Sequence, residues 1–93
     1  MAICRIIETG ATPDEYEKVR GRLGLSQGQT PPGASLHIAA RGDDGKIRVI
    51  EVWDSRAESE DFGAKVRAAR EEVGLGGSAP PITYLDVHNI AQS

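Results

Sequence analysis

Gly33 to Trp53 reads GASLHIAARGDDGKIRVIEVW, and this stretch decides the fold. Apolar and polar residues alternate on both sides of a Gly-Asp-Asp-Gly centre, the pattern of a β-hairpin. With Ala40 opposite Arg48, Leu36 falls opposite Val52 and Ile38 opposite Ile50 on one side. On the other side His37 faces Glu51, Ala39 faces Val49 and Ser35 faces Trp53. The same register pairs Gly42 with Lys46 and leaves Asp43-Asp44-Gly45 as the loop. Such a loop ends on a left-handed residue, and Gly45 adopts that conformation without steric penalty. Turn chemistry and alternation thus select one register independently.

The flanking segments read as two helices and two strands. Ile3 to Thr9 is short, β-branched and closed by Gly10, so it is expected to be a strand. Thr12-Pro13-Asp14-Glu15 forms a capping box with proline at the first helical position. The helix it opens carries an apolar stripe at Tyr16, Val19 and Leu23 and stops at Gly24. Leu25 to Pro32 is a loop. Ser55-Arg56-Ala57-Glu58 is a second capping box, and Phe62, Val66, Ala69 and Val73 follow at helical spacing. Gly74 to Pro81 is a linker, and Ile82 to Ile90 is the last strand.

The order βαββαβ predicts an α+β, ferredoxin-like domain over residues 1–93: a four-stranded antiparallel sheet with two helices on one face. Alternation assigns Cys4, Ile6, Leu36, Ile38, Ile50, Val52, Leu85 and Val87 to the helices. The opposite face then carries Arg5, His37, Glu51, Trp53, Tyr84 and His88 and is left uncovered. That mixture suits a ligand pocket or a subunit interface enclosing one.

Composition narrows the function classes. The chain has 93 residues with one Trp, one Phe and two Tyr, against eleven Gly and five Pro. So little core volume favours burial of a sheet face against a second copy. A net charge of −3 with scattered basic residues argues against nucleic acid as partner. Cys4 stands alone, which excludes a disulfide framework and a CxxC metal pair. No apolar run approaches membrane-spanning length and no signal-peptide core is visible, so no membrane partner is expected and the expected location is the cytoplasm.

The strand-order pattern, the length and the segment IEVWDSRAE (Ile50 to Glu58) together resemble the dimeric α/β-barrel superfamily, with antibiotic biosynthesis monooxygenase-type members the nearest match. Val52, Trp53, Asp54, Ser55 and Glu58 carry the strand–aromatic–cap pattern. The resemblance implies a homodimer in which two open sheet faces form a barrel, each subunit keeping a pocket. The superfamily it implies is chemically mixed and includes cofactor-free monooxygenases, polyketide cyclases, and haem-degrading and haem-using enzymes. The expectation is a small aromatic or polyketide-like ligand and a reaction without metal or other cofactor, either monooxygenation or a polyketide-cyclase-like ring closure, with haem use left open. A non-catalytic dimeric binding protein is the alternative, since fold alone does not select an activity.

Within that frame His37 is the candidate base and Glu51 the carboxylate that orients it; the alternative for the pair is a satisfied ionic contact. Trp53 is a candidate stacking surface or a packing residue. Arg5 either stabilises oxyanion charge or pairs with Glu51 or Asp86. Tyr84 and His88 share a strand face but stand about 13 Å apart, and each is either substrate-binding or a contact residue. No HxH or HExxH spacing occurs, so no metal site is expected.

Overall fold

The hairpin forms in the register that its turn selects. In the computed structural model, which describes residues 2–92, β2 (Ala34–Arg41) pairs with β3 (Ile47–Trp53) through Leu36–Val52, His37–Glu51, Ile38–Ile50, Ala39–Val49 and Ala40–Arg48. Met1 and Ser93, the ends of the span expected for the domain, lie outside the described residues. Gly42 donates its N–H to Lys46 (2.9 Å), and Gly45 closes the loop at φ 77°. One detail differs: a register shift between Ala34 and Leu36 places Ala34, and not Ser35, opposite Trp53. Such a bulge bends the strand end where it meets the preceding loop.

Both helices start where their caps dictate. Thr12 accepts from Glu15 N–H and the Glu15 carboxylate accepts from Thr12 N–H, opening α1 (Pro13–Leu23). Gly24 ends it in the left-handed region at φ 74°. Ser55 accepts from Glu58 N–H to open α2 (Arg56–Glu72). Here the return half of the expected box is replaced, because the Ser55 hydroxyl donates to the Glu58 carboxylate. The two helices meet side by side, with an Arg22–Glu72 ion pair on their wet side.

With β1 (Ile3–Glu8) and β4 (Ile82–Asp86), the sheet has the order β2-β3-β1-β4, all neighbours antiparallel. This is the ferredoxin-like arrangement. The last strand is shorter than expected and ends at Asp86; Val87 adds one more bond to Ala2 O, and His88 lies beyond the sheet, exposed.

The expected assignment of the two sheet faces is overturned. Arg5 bonds to α2, His37 bonds to α1, and Trp53 packs on Phe62 of α2 at 5.4 Å between ring centroids. The side bearing Arg5, His37, Glu51 and Trp53 therefore faces the helices. The aliphatic side, with Cys4, Ile6, Leu36, Ile38, Ile50, Val52 and Leu85, is the open one: Ile38 and Leu85 are 44% and 51% exposed, and Val52 at its centre is buried between Cys4 and Leu36. The reason lies in volume. Trp53, the largest side chain, shares its face with Ile3, Ile47 and Val49, and these four are buried with Ala69 of α2. Enclosing a tryptophan removes more apolar area from water than enclosing any one aliphatic residue of the other side.

Candidate functional site

Antiparallel pairing at mid-strand sets up a polar row across the whole sheet. Tyr84 on β4 is opposite Arg5 on β1, Arg5 is opposite Glu51 on β3, and Glu51 is opposite His37 on β2. All four point toward the helices, and all four line a cavity of about 520 Å³ between sheet and helices that opens to solvent. Its volume is that of a small-molecule site. Val19, Leu23, Phe62 and Val66 give it apolar walls, and the Gly74–Pro80 linker borders it.

At the β2 end a chain of hydrogen bonds runs through four residues. Trp53 Nε1–H donates to Glu51 Oε1 (3.0 Å), and His37 Nδ1–H donates to Glu51 Oε2 (2.8 Å). Both oxygens of a side chain that is only 3% exposed thus face donors, the arrangement of a carboxylate. A carboxylate on Nδ1 fixes the imidazole tautomer and leaves the lone pair on Nε2. There the Tyr16 hydroxyl donates (2.6 Å), and the Arg20 guanidinium lies 3.4 Å away. Burial raises the Tyr16 pKa, with nearby Arg20 opposing the shift, so the phenol keeps its proton at neutral pH.

Arg20 also holds the roof. Its other nitrogen donates to Ser26 O (2.8 Å) and Gln29 O (2.9 Å), which ties the loop after α1 to the site. Tyr16, Arg20 and His37 stand between the main cavity and a recess of about 300 Å³ under Gln27–Thr30.

Arg5 occupies the middle of the row and is 5% exposed. Its Nη1 donates to Ser59 O (2.7 Å), while Nε has no partner among the described residues. The expected pairing with Glu51 or Asp86 is not made: Glu51 is committed to His37 and Trp53, and Asp86 is exposed. Gly63 of α2 makes room for the guanidinium, since a Cβ there would lie 3.1 Å from Nη2. A glycine within a helix costs about 1 kcal/mol relative to alanine, so this one trades helix stability for space.

The remaining candidates separate. Trp53 is 0% exposed and buttresses Glu51, so it offers no face to a ligand. Tyr84 borders the cavity, with the Arg56 guanidinium 3.9 Å from its ring centroid. His88 is remote from the row. Among the described residues, no three His, Cys, Asp or Glu side chains gather as a metal site. No helix among them is long and apolar enough to cross a membrane. In the sequence Tyr16 reads only as part of the apolar stripe of α1 and Arg20 does not stand out, yet Arg20 follows Tyr16 by one helical turn. A charged residue on a helix's inward stripe signals an inward polar partner.

Fold and cavity together define a ferredoxin-like α+β domain with a hydrogen-bonded Tyr–His–Glu–Trp chain between its sheet and its helices. No family model and no curated protein matches the sequence. The chain nevertheless shares its fold with three solved structures over nearly its whole length. One is described as a candidate antibiotic biosynthesis monooxygenase from Chloroflexus aurantiacus J-10-fl: TM-score 0.66, 18% identity, 99% of this chain and 98% of that one covered. Rv0793 from Mycobacterium tuberculosis has TM-score 0.65 and 18% identity over 99% of this chain and 100% of its own. A candidate antibiotic biosynthesis monooxygenase from Deinococcus radiodurans has TM-score 0.61 and 15% identity, with 100% and 98% covered. At these identities the likeness is one of fold.

Proposed function

We propose that the protein is a small antibiotic biosynthesis monooxygenase-type enzyme that deprotonates an aromatic or polyketide-like substrate in the cavity between sheet and helices. The observation that carries this reading is the Glu51–His37–Tyr16 hydrogen-bond chain opening onto that cavity. A proton leaving the substrate is taken by the Tyr16 oxygen as Tyr16 gives its own to His37 Nε2. Glu51 stabilises the imidazolium that forms. Arg20, beside the same nitrogen, favours the resulting substrate anion.

An anion of a polycyclic phenol or an activated methylene reacts with oxygen without an external reductant. The methylene and O₂ yield a carbonyl and water, and the electrons come from the substrate itself. The name carried by two of the structural relatives supports this chemistry. The same proton relay also serves ring closure of a polyketide chain, which consumes no oxygen.

The functional unit in this reading is a homodimer. A half-exposed aliphatic sheet face with Ile38 and Leu85 at its surface is an unfavourable boundary with water, and a second copy would cover it.

The test is oxygen uptake with reduced polycyclic phenols, wild type against His37→Ala. The expected result is substrate-dependent uptake that the substitution abolishes. Equal rates near background for both proteins would refute the monooxygenase reading, and turnover without oxygen uptake would select ring closure.

A further inference from the structure

Arg5 and Tyr84 are the members of the polar row that the proton relay does not use, and of the two only Arg5 is a buried charge. Its guanidinium is nearly sealed, borders the cavity, and has a buried Nε with no hydrogen-bond partner among the described residues. A charge taken out of water without a counter-ion is costly, and proteins keep such groups where a ligand completes them. Serving the Ser59 carbonyl occupies Nη1 alone, which leaves the Nε–Nη2 edge. That edge is a planar two-donor fork, matched in spacing to the two oxygens of a carboxylate. Gly63 keeps a side chain off Nη2.

The charges around the cavity agree. Inside it Arg5 and Arg20 stand against Glu51, whose two oxygens already accept bonds from Trp53 and His37. At the rim Glu15, Glu60 and Glu71 stand with Arg67 and Arg70, so the lining as a whole balances at four Arg and four Glu, and the excess of positive charge is local to the buried Arg5 and Arg20.

We infer that the Nε–Nη2 edge of Arg5 is a carboxylate subsite, so that the ligand is an aromatic acid held by its carboxylate at the centre of the sheet. This rests on the proposed function for what happens at the other end of the ligand. Arg5 and His37 are separated by β3, so their strands lie about 10 Å apart, two strand spacings. A fused bicyclic or larger ring system bridges that gap, with the carboxylate on Arg5 and the acidic O–H or C–H beside Tyr16.

Calorimetric titration with 2-naphthoate and with its neutral isostere naphthalene-2-carboxamide tests the subsite without requiring turnover. Wild-type protein is expected to bind the carboxylate about tenfold more tightly or better, the scale of a charge-assisted pair. Arg5→Met should bring the ratio of the two affinities close to one while His37→Gln preserves it. Should Arg5→Met fail to fold, Arg5→Lys keeps a cation without the fork, and the ratio is expected to fall severalfold. A wild-type ratio near one, a ratio unchanged by either Arg5 substitution, or no binding of either compound at millimolar concentration would overturn the inference. Failure of the oxygen-uptake assay with the carboxylate preference intact would instead count against the proposed chemistry alone.

Discussion

His37 and Glu51 face each other across the β2–β3 ladder, and the 2.8 Å bond from Nδ1–H to Oε2 makes the sheet itself the device that orients the imidazole. Trp53 holds the carboxylate from the same strand, two residues on. The far nitrogen is thereby fixed toward α1, where Tyr16 meets it. Strand register, turn chemistry and one buried indole suffice to aim an imidazole.

Removing the Tyr16 hydroxyl should interrupt proton transfer without emptying the cavity. Tyr16→Phe is expected to lower kcat by about 10²-fold or more, the usual scale for one acid–base group, with KM little changed. An alkaline titration of phenolate absorbance gives a second readout. Burial pushes the Tyr16 phenol above its ordinary value of 10.0, so the substitution should remove a transition lying above that pH.

Glu51→Gln tests the support beneath His37. The carboxylate accepts from two donors, Trp53 Nε1–H and His37 Nδ1–H. An amide offers one oxygen and sets an N–H against the other donor. One buried donor is then left without a partner, which costs about 1–3 kcal/mol. The urea midpoint should fall with an unchanged slope, and activity should fall further because the imidazole tautomer is no longer held.

These residues show what was legible in the sequence. The hairpin register was readable because the Asp43-Asp44-Gly45 loop and the Leu36/Ile38 alternation agree, and Thr12 and Ser55 marked the helix starts. The His37–Glu51 pair followed from the hairpin register, and alternation along β1 placed Arg5 on the same face. The side on which that face lies followed from neither. Aliphatic content is a sound guide when one face of a sheet meets water, but here both faces are largely apolar, and the narrow helix stripes match either. Arg20 within the α1 stripe, and Ser59 and Gly63 on the inner side of α2, carried the missing information. An inward cation calls for inward acceptors, and small residues on a helix admit long side chains such as Arg5 beneath it.

In the proposed homodimer the open aliphatic face is the contact between the two copies. Light scattering at micromolar concentration should give twice the 9.9 kDa of one chain. Ile38→Glu or Leu85→Lys places a charge where the second copy would pack, which is unfavourable by several kcal/mol at a desolvated contact. Each should shift the protein toward a monomer of lower melting temperature. A wild-type monomer at that concentration would contradict the assignment.

Asp44 predicts how the hairpin responds to acid. Its carboxylate accepts from Arg48 Nη1 (2.7 Å) and from Lys46 N–H (3.0 Å), and these bonds hold its pKa down to about 2. A carboxyl whose folded pKa is depressed contributes stability that is present above its unfolded pKa. That stability is lost as pH falls through the folded value. Wild type should therefore exceed Asp44→Asn in urea midpoint at pH 6, with the difference shrinking below about pH 4 and vanishing only below about pH 2. The group is exposed, so the difference should also shrink at high salt.

Two glycines should respond to alanine with opposite signs. Gly33 sits at φ +93°, where an L side chain is strained, and a Cβ there would lie 2.5 Å from Glu58 Oε2 and 3.3 Å from Trp53 Cζ3. Backbone strain of this kind costs about 1–3 kcal/mol. The added contact also bears on the ring that holds Glu51 in place. Gly21 lies within α1, and a Cβ on it would meet nothing within 4 Å. Alanine there gains the helix propensity that glycine forgoes, about 1 kcal/mol. Urea unfolding should therefore rank Gly21→Ala above wild type and wild type above Gly33→Ala. Activity should fall only in Gly33→Ala, because the indole that seats Glu51 beneath His37 is displaced in that variant alone.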